Sequence, residues 1–272
     1  MIMQSSIYRL LATVATGMAL ASPAAAQVFD AGLPPSWECQ GNCGTAETDG
    51  DVWLAPGGGE RYGWISNHNG VAGVRLPGVG VPRDSFNGSL LRSHAFSAGA
   101  GQVLSFQINY VTTDGGDFSD YGWVRLLDAA GNQVAMLVTA RTSPGGGAVP
   151  GFGMPAGAAT LDPPYSNVLG PAPVWSPLGP DSGTCYVEPC GVTDWIGARY
   201  TIAASGQYRL EFGVVNWVDA SSDTGMAFDA IELDGRTLPA VPEPAGATLL
   251  AAGVAVLALR QRLRGRFAAR QL

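Results

Sequence analysis

The chain alternates apolar and polar residues with a period of two, and that pattern limits its folds more than any other feature. Leu104, Phe106, Ile108 and Tyr110 share one face of an extended segment, and Ser105, Gln107 and Asn109 share the other. Tyr208, Leu210, Phe212 and Val214 repeat the pattern. A period of two fits a strand with one face against a core, whereas helical spacing of three to four hardly occurs. Residues 121–128 and 133–141 read as two strands around the turn Ala129-Ala130-Gly131-Asn132. Further strands are expected at 51–54, 61–66, 71–75, 89–96, 197–203 and 225–233. About ten short strands with Gly, Asn and Asp turns predict an all-β domain, an antiparallel jelly-roll-like β-sandwich.

Composition agrees with a packed domain. Apolar residues make up 46% and charged residues 14%, the reverse of the low-hydrophobicity, high-charge balance of disordered chains. Every basic residue is Arg, and the net charge is −7. Residues 27–240 hold nine Arg against 21 acidic residues, a net −12. Nucleic acid is excluded as a partner, because it requires a basic surface. Cations, neutral glycans or Arg/Lys-rich surfaces suit this charge better.

The two ends carry addresses. Arg9, an apolar stretch at residues 10–21 and the small residues Ala24-Ala25-Ala26 form a secretory signal peptide over residues 1–26. Signal peptidase would cut between Ala26 and Gln27. At the other end, Val241-Pro242-Glu243-Pro244 precedes fifteen uncharged residues at 245–259, and the tail 260–272 contains five Arg. The apolar stretch predicts a single, short transmembrane helix. The Arg tail places its far end in the cytoplasm.

This three-part C-terminus, 241–272, resembles the sorting signal of PEP-CTERM proteins of Gram-negative bacteria. The resemblance implies a transient inner-membrane anchor and cleavage near Pro242-Glu243-Pro244 by an exosortase. It also implies release or display at the cell surface or in the extracellular matrix, often beside exopolysaccharide. The core resembles the β-sandwich domains common in that family. The matching residues are Leu104-Ser105-Phe106 with Asp114, Asp120-Tyr121-Gly122-Trp123, Leu126-Leu127-Asp128, and the segment from Gly225 through Leu233.

Inside the core, residues 142–194 break the strand rhythm and hold ten of the nineteen prolines. So long a connection is uncommon in a compact domain. Phe152, Tyr165 and Trp175 lie in it, either as a platform for sugar rings or as pins that hold the loop to the sandwich. Cys39, Cys43, Cys185 and Cys190 are an even set in an exported chain, which favours disulfides. The short separations favour Cys39–Cys43 and Cys185–Cys190. A zinc site using all four thiolates is the alternative.

The acidic segment Asp114-Gly115-Gly116-Asp117-Phe118-Ser119-Asp120 should be a loop between two strands. Its carboxylates could hold Ca²⁺, which accepts six to eight oxygens, although the spacing is not that of an EF-hand. The alternative is a solvated polar loop. Asp229 lies within an apolar strand and would be buried if Ala227 faces inward. A buried carboxylate needs a cation, an Arg such as Arg125, or several donors; the resemblance to calcium-binding jelly-rolls suggests a calcium ligand. Asp219, Ser221, Ser222 and Asp223 read as a turn. Enzyme readings find little support. His68 and His94 are the only histidines, and there is no nucleophile elbow, H-E-x-x-H, P-loop or dinucleotide motif. A glycosidase needs only two carboxylates, but nothing selects a pair. The expected function is that of an exported, non-enzymatic surface or matrix protein, with a calcium-dependent carbohydrate-binding module as the second reading.

Overall fold

A computed structural model describes residues 27–79 and 87–238. The signal peptide with Ala26, the sorting motif Val241 to Pro244, the apolar stretch and the Arg tail lie outside the described residues. Among those described, no helix is long and apolar enough to cross a membrane.

The first strands are Glu38–Gln40 (β1), Asn42–Ala46 (β2), Tyr62–Ser66 (β3), Val71–Ala72 (β4), Asn87–Arg92 (β5) and Phe96–Ala98 (β6). Val103–Thr112 (β7), Tyr121–Asp128 (β8) and Gln133–Arg141 (β9) follow. Residues 142–194 carry Gly147–Val149 (β10), Thr160–Asp162 (β11), Ser166–Asn167 (β12), the 3-10 helix Ser176–Asp181 and Gly191–Val192 (β13). Ile196–Thr201 (β14), Gly206–Val215 (β15), Thr224–Leu233 (β16) and Arg236–Thr237 (β17) complete the chain.

Two antiparallel sheets hold all of these strands but β10 and β12, which pair with each other. Sheet I runs β1-β5-β15-β8-β9, and sheet II runs β11-β14-β7-β16-β3-β2. The alternating residues read from the sequence face each other between them. Phe106, Ile108 and Tyr110 of sheet II meet Leu210, Phe212 and Val214 of sheet I, all fully or almost fully buried. Phe212 stacks on Phe228 with ring centroids 4.0 Å apart. The side-chain period thus becomes one continuous core.

Each outer face is covered in part, which alternation alone does not foretell. Val74 and Leu76 pack with Trp123, Tyr121 and Val215 outside sheet I. Val52, Trp175 and Leu178 pack with Tyr62, Val111 and Ala227 outside sheet II. The low charged fraction follows, because a strand buried on both faces offers few sites for charge.

Several expectations change in detail. Segment 51–54 is no strand; only an isolated bridge joins Asp49 and Val52. Segment 71–75 is reduced to two paired residues, and 89–96 is split by residues 93–95. Sequence reading missed the β1–β2 segment around Cys39 and Cys43, because it is too short and too Gly-rich to show a period. Residues 142–194 are not structureless: β11 and β13 join sheet II, β10 and β12 pair with each other, and a 3-10 helix follows. Both local disulfides are present, Cys39–Cys43 and Cys185–Cys190. No cysteine is free among the described residues. At one end of the sandwich Thr237 Oγ1 donates to Gln27 Oε1 at 3.4 Å, so the first and last described segments meet.

Candidate functional site

The acidic loop closes the opposite end. Asp120 is buried, and both of its carboxylate oxygens are used: Asn67 Nδ2 donates to Oδ2 at 2.7 Å and the Trp217 N–H donates to Oδ1 at 2.9 Å. Asn67 Oδ1 accepts from the Thr224 N–H at 2.7 Å, and Tyr110 donates its hydroxyl to the Asp120 carbonyl at 2.8 Å. Burial and the neighbouring Asp114 push the Asp120 carboxyl well above its usual range. Asp114 is buried as well, and its pKa is raised to about 7, first by burial and then by the Asp219 charge. Asp117, by contrast, is exposed. The Arg141 guanidinium carbon lies 4.7 Å from the Trp217 ring centre. Arg141 Nε donates to the Ser119 carbonyl, which pins the loop from the side.

Asp114, Asp117 and Asp120 are therefore not gathered around one point. Two are packed inward beside amide and hydroxyl groups, and one faces water. Among the described residues, no group of three or more His, Cys, Asp or Glu side chains could hold a metal ion. The zinc alternative fails for another reason, because all four cysteines are in disulfides. Sequence reading missed Asn67, Asn87 and Asn216, which link through their amides beneath Asp120. Nothing in their spacing sets them apart from turn residues.

Asp229 is fully buried, as the sequence allows, but on the other side of its sheet. Its β16 neighbour Phe228 faces the central core, and Ala227 faces the covered outer side of sheet II. Between Asp229 and Glu232 the β16–β7 register shifts, and Ala230 takes φ 49°. This bulge adds one residue. It returns Ile231 to the central core, so strict alternation does not hold through this segment. The loop at 56–59 lies over Asp229. The Gly59 N–H donates to Asp229 Oδ2 at 3.1 Å, and a Cβ on Gly58 would fall 2.1 Å from that oxygen. Asp229 Oδ1 has no partner. Burial raises the Asp229 pKa to about 6 against the pull of backbone N–H groups, with the Asp30 charge adding to the rise.

Arg125 does not serve Asp229. It pairs with Glu211 on the outer side of sheet I, where Arg92 adds a second contact at 2.6 Å and Trp123 Nε1 donates at 3.2 Å. Burial opposes the Glu211 charge, but the Arg125 and Arg92 hydrogen bonds overcome it and hold that carboxyl below its usual value. Asp229 and the acidic loop are also far apart. Asp229 is in register with Gln107, while Asp114 lies two residues past the end of β7 at Thr112, about 20 Å away.

Of the three loop aromatics, Trp175 is buried and pins the loop. Its Nε1 donates to the Tyr62 hydroxyl at 3.0 Å, and its ring occupies the space above Gly225. Phe152 and Tyr165 are exposed, at 52% and 58%. The histidines are built into the framework. His68 Nδ1 lies 2.8 Å from Asp223 Oδ2, and a Cβ on Gly179 would fall 2.3 Å from its Nε2. His94 is buried, and burial followed by the Arg209 charge lowers its pKa.

One open groove lies on the outer face of sheet II, with a volume of about 680 Å³. It crosses β11, β14, β7 and β16 beside the 56–59 loop, and Gln107, Asp162, Trp195, Arg199 and Glu232 line it. No feature of the sequence announced it, because its residues come from four separate strands.

No family model and no curated protein matches the sequence. Among solved structures, a cleaved adhesin domain of Lys-gingipain from Porphyromonas gingivalis aligns with TM-score 0.37 and 11% identity, over 76% of this chain and 94% of that one. Another cleaved adhesin domain of the same gingipain aligns with TM-score 0.35 and 15% identity, over 76% and 98%. The enzymatically active domain of a tailspike protein of bacteriophage CBA120 aligns with TM-score 0.31 and 12% identity, over 73% of this chain and 19% of that one. At these scores the likeness carries no functional argument.

Proposed function

We propose that the chain is an exported, non-enzymatic protein of the Gram-negative cell surface or extracellular matrix. In this reading signal peptidase removes residues 1–26, and residues 245–259 hold the chain briefly in the inner membrane. An exosortase then processes it at Val241-Pro242-Glu243-Pro244, and the mature domain works beside exopolysaccharide. The pair of disulfides carries the exported part of the reading. Such bonds persist in oxidising compartments and are rare in the cytosol. Here they use every cysteine of the chain. The sorting step rests on the three-part C-terminus.

A jelly-roll-like sandwich is part of the proposal. With the eight principal strands taken in chain order as β3, β5, β7, β8, β9, β14, β15 and β16, sheet II has the order sixth-third-eighth-first and sheet I the order second-seventh-fourth-fifth. Such interleaving is that of two Greek keys wound together. Histidines locked into the framework favour a binding or structural role over catalysis.

Changing Pro242, Glu243 and Pro244 together to alanine in the producing cell tests the sorting step. The variant should accumulate in the membrane fraction at the mass of the signal-cleaved but otherwise uncut chain. A mature mass and location equal to those of wild type would overturn it.

A further inference from the structure

We propose that the groove on the outer face of sheet II is a binding site for an uncharged, hydroxyl-rich glycan chain. The inference rests on the surface-protein reading above and gives that protein a defined ligand class.

Strand pairing sets the groove's floor in two parallel rows. Thr160, Arg199, Ser105 and Glu232 are in register across β11, β14, β7 and β16. Asp162, Gly197, Gln107 and Asp229 form the next row. The β16 bulge brings Glu232 into the first row. A regular strand would step two residues where β7 steps from Gln107 to Ser105; β16 steps three, from Asp229 to Glu232. Both carboxylates thereby keep to the register of the same β7 face. Three strand spacings span about 14 Å, an elongated floor suited to a chain rather than to a compact metabolite.

The chemistry of the floor favours sugar hydroxyls. Carboxylate, amide and guanidinium groups each offer two hydrogen-bonding atoms side by side, the arrangement that neighbouring ring hydroxyls complement. Among the described residues, Gln107, Asp162, Arg199 and Glu232 make no side-chain hydrogen bond or ion pair with protein. Trp195 lines the groove with its Nε1 donating to the Trp53 carbonyl at 2.9 Å, so its indole is a fixed apolar surface for the C–H face of a ring. A single Arg among Asp162, Glu232 and the nearby Asp229 disfavours phosphate or polyanionic ligands. A peptide adding to the sheet could pair only along the outer edge of β11, at the rim of the groove, whereas β14, β7 and β16 of its floor are each paired on both sides. Asp229, in the same row, is covered by the 56–59 loop and does not line the groove, so the open polar groups of the floor are those of Gln107, Asp162, Arg199 and Glu232.

Gly197 gives the test. It sits mid-floor, its φ is not in the left-handed region, and an added Cβ would meet nothing closer than 3.5 Å. Gly197→Tyr should therefore fill the groove without straining the backbone. The full chain is run on native gels containing hydroxyethyl cellulose, xylan, galactomannan or dextran, with alginate and denatured casein as acidic-glycan and peptide probes. Wild type should be retarded by at least one neutral polysaccharide. Gly197→Tyr and Arg199→Ala should each weaken that retention at least about tenfold, with melting temperatures near that of wild type. Retention that survives Gly197→Tyr would place binding elsewhere and overturn the inference. Retention by alginate or casein alone, or by none of the probes, would also overturn it. These gels are independent of the cellular sorting assay, so failure of one reading leaves the other measurable.

Discussion

Asp229 gives the sharpest energetic prediction. Burial beneath the 56–59 loop lifts its pKa from the ordinary 3.8 to about 6. A carboxyl that keeps its proton longer when folded makes the folded state bind more protons than the unfolded state. Stability therefore falls as pH rises from the unfolded pKa through the folded one. The full effect is about 3 kcal/mol, about two-thirds of it lost between pH 4 and pH 6. Asp229→Asn removes the titration and keeps an oxygen to accept from the Gly59 N–H. Its amide then occupies the place of Oδ1, which has no partner now, and any cost of that unpaired amide is the same at every pH. The result thus lies in the slope and not in the offset. Asp114 titrates in an overlapping range, but it is about 20 Å away and should cancel in the difference. Urea unfolding of both proteins from pH 4 to pH 8 should show the variant gaining about 2–3 kcal/mol on wild type over that range. Parallel stability curves would refute the argument, because they would mean that Asp229 ionises in the folded state as easily as in the unfolded state.

Two other substitutions read different parts of the structure. Glu211→Gln leaves Arg92 and Arg125 without their buried counter-charge and should cost about 3 kcal/mol in urea unfolding at neutral pH; a loss under about 0.5 kcal/mol would show the pair to be solvated. Trp175→Ala removes the pin of the Pro-rich segment and should cost about 3–5 kcal/mol. It should also open residues 142–194 to limited proteolysis under conditions in which wild type resists, and unchanged cleavage would assign the pinning to other contacts.

The sandwich was legible wherever one face alone meets the core. The Leu104 and Tyr208 segments alternate cleanly, and the structure places their apolar faces against each other. Legibility fails where a third element covers the far face. Val111, Ala227 and Val215 are buried on the outer sides, so apolar residues occupy both phases of the period and blur it. The bulge after Asp229 is a second kind of failure. One inserted residue reverses which side chains face inward, and no residue of Ala230-Ile231-Glu232 marks it; Ala230 adopts a positive φ that its identity does not advertise. The disulfides were legible because four cysteines close together in pairs leave few choices. The groove was not, since register alone assembles Asp162, Arg199, Gln107 and Glu232 from positions up to 125 residues apart.

The hydrogen bond between Thr237 and Gln27 has a topological consequence. The two ends of the folded domain lie side by side, as ends often do in domains that tolerate circular permutation. A short linker from Leu238 back to Gln27 would close the chain into a ring without moving a strand. New ends could then be opened at the turn after Asp128, where Gly131 already takes φ 85° and the residues are exposed. In the native order the adjoining ends also set an orientation. Any tether that continues past Leu238 holds the domain by the Gln27 end, and the Asp114–Asp120 loop becomes the pole farthest from the anchor.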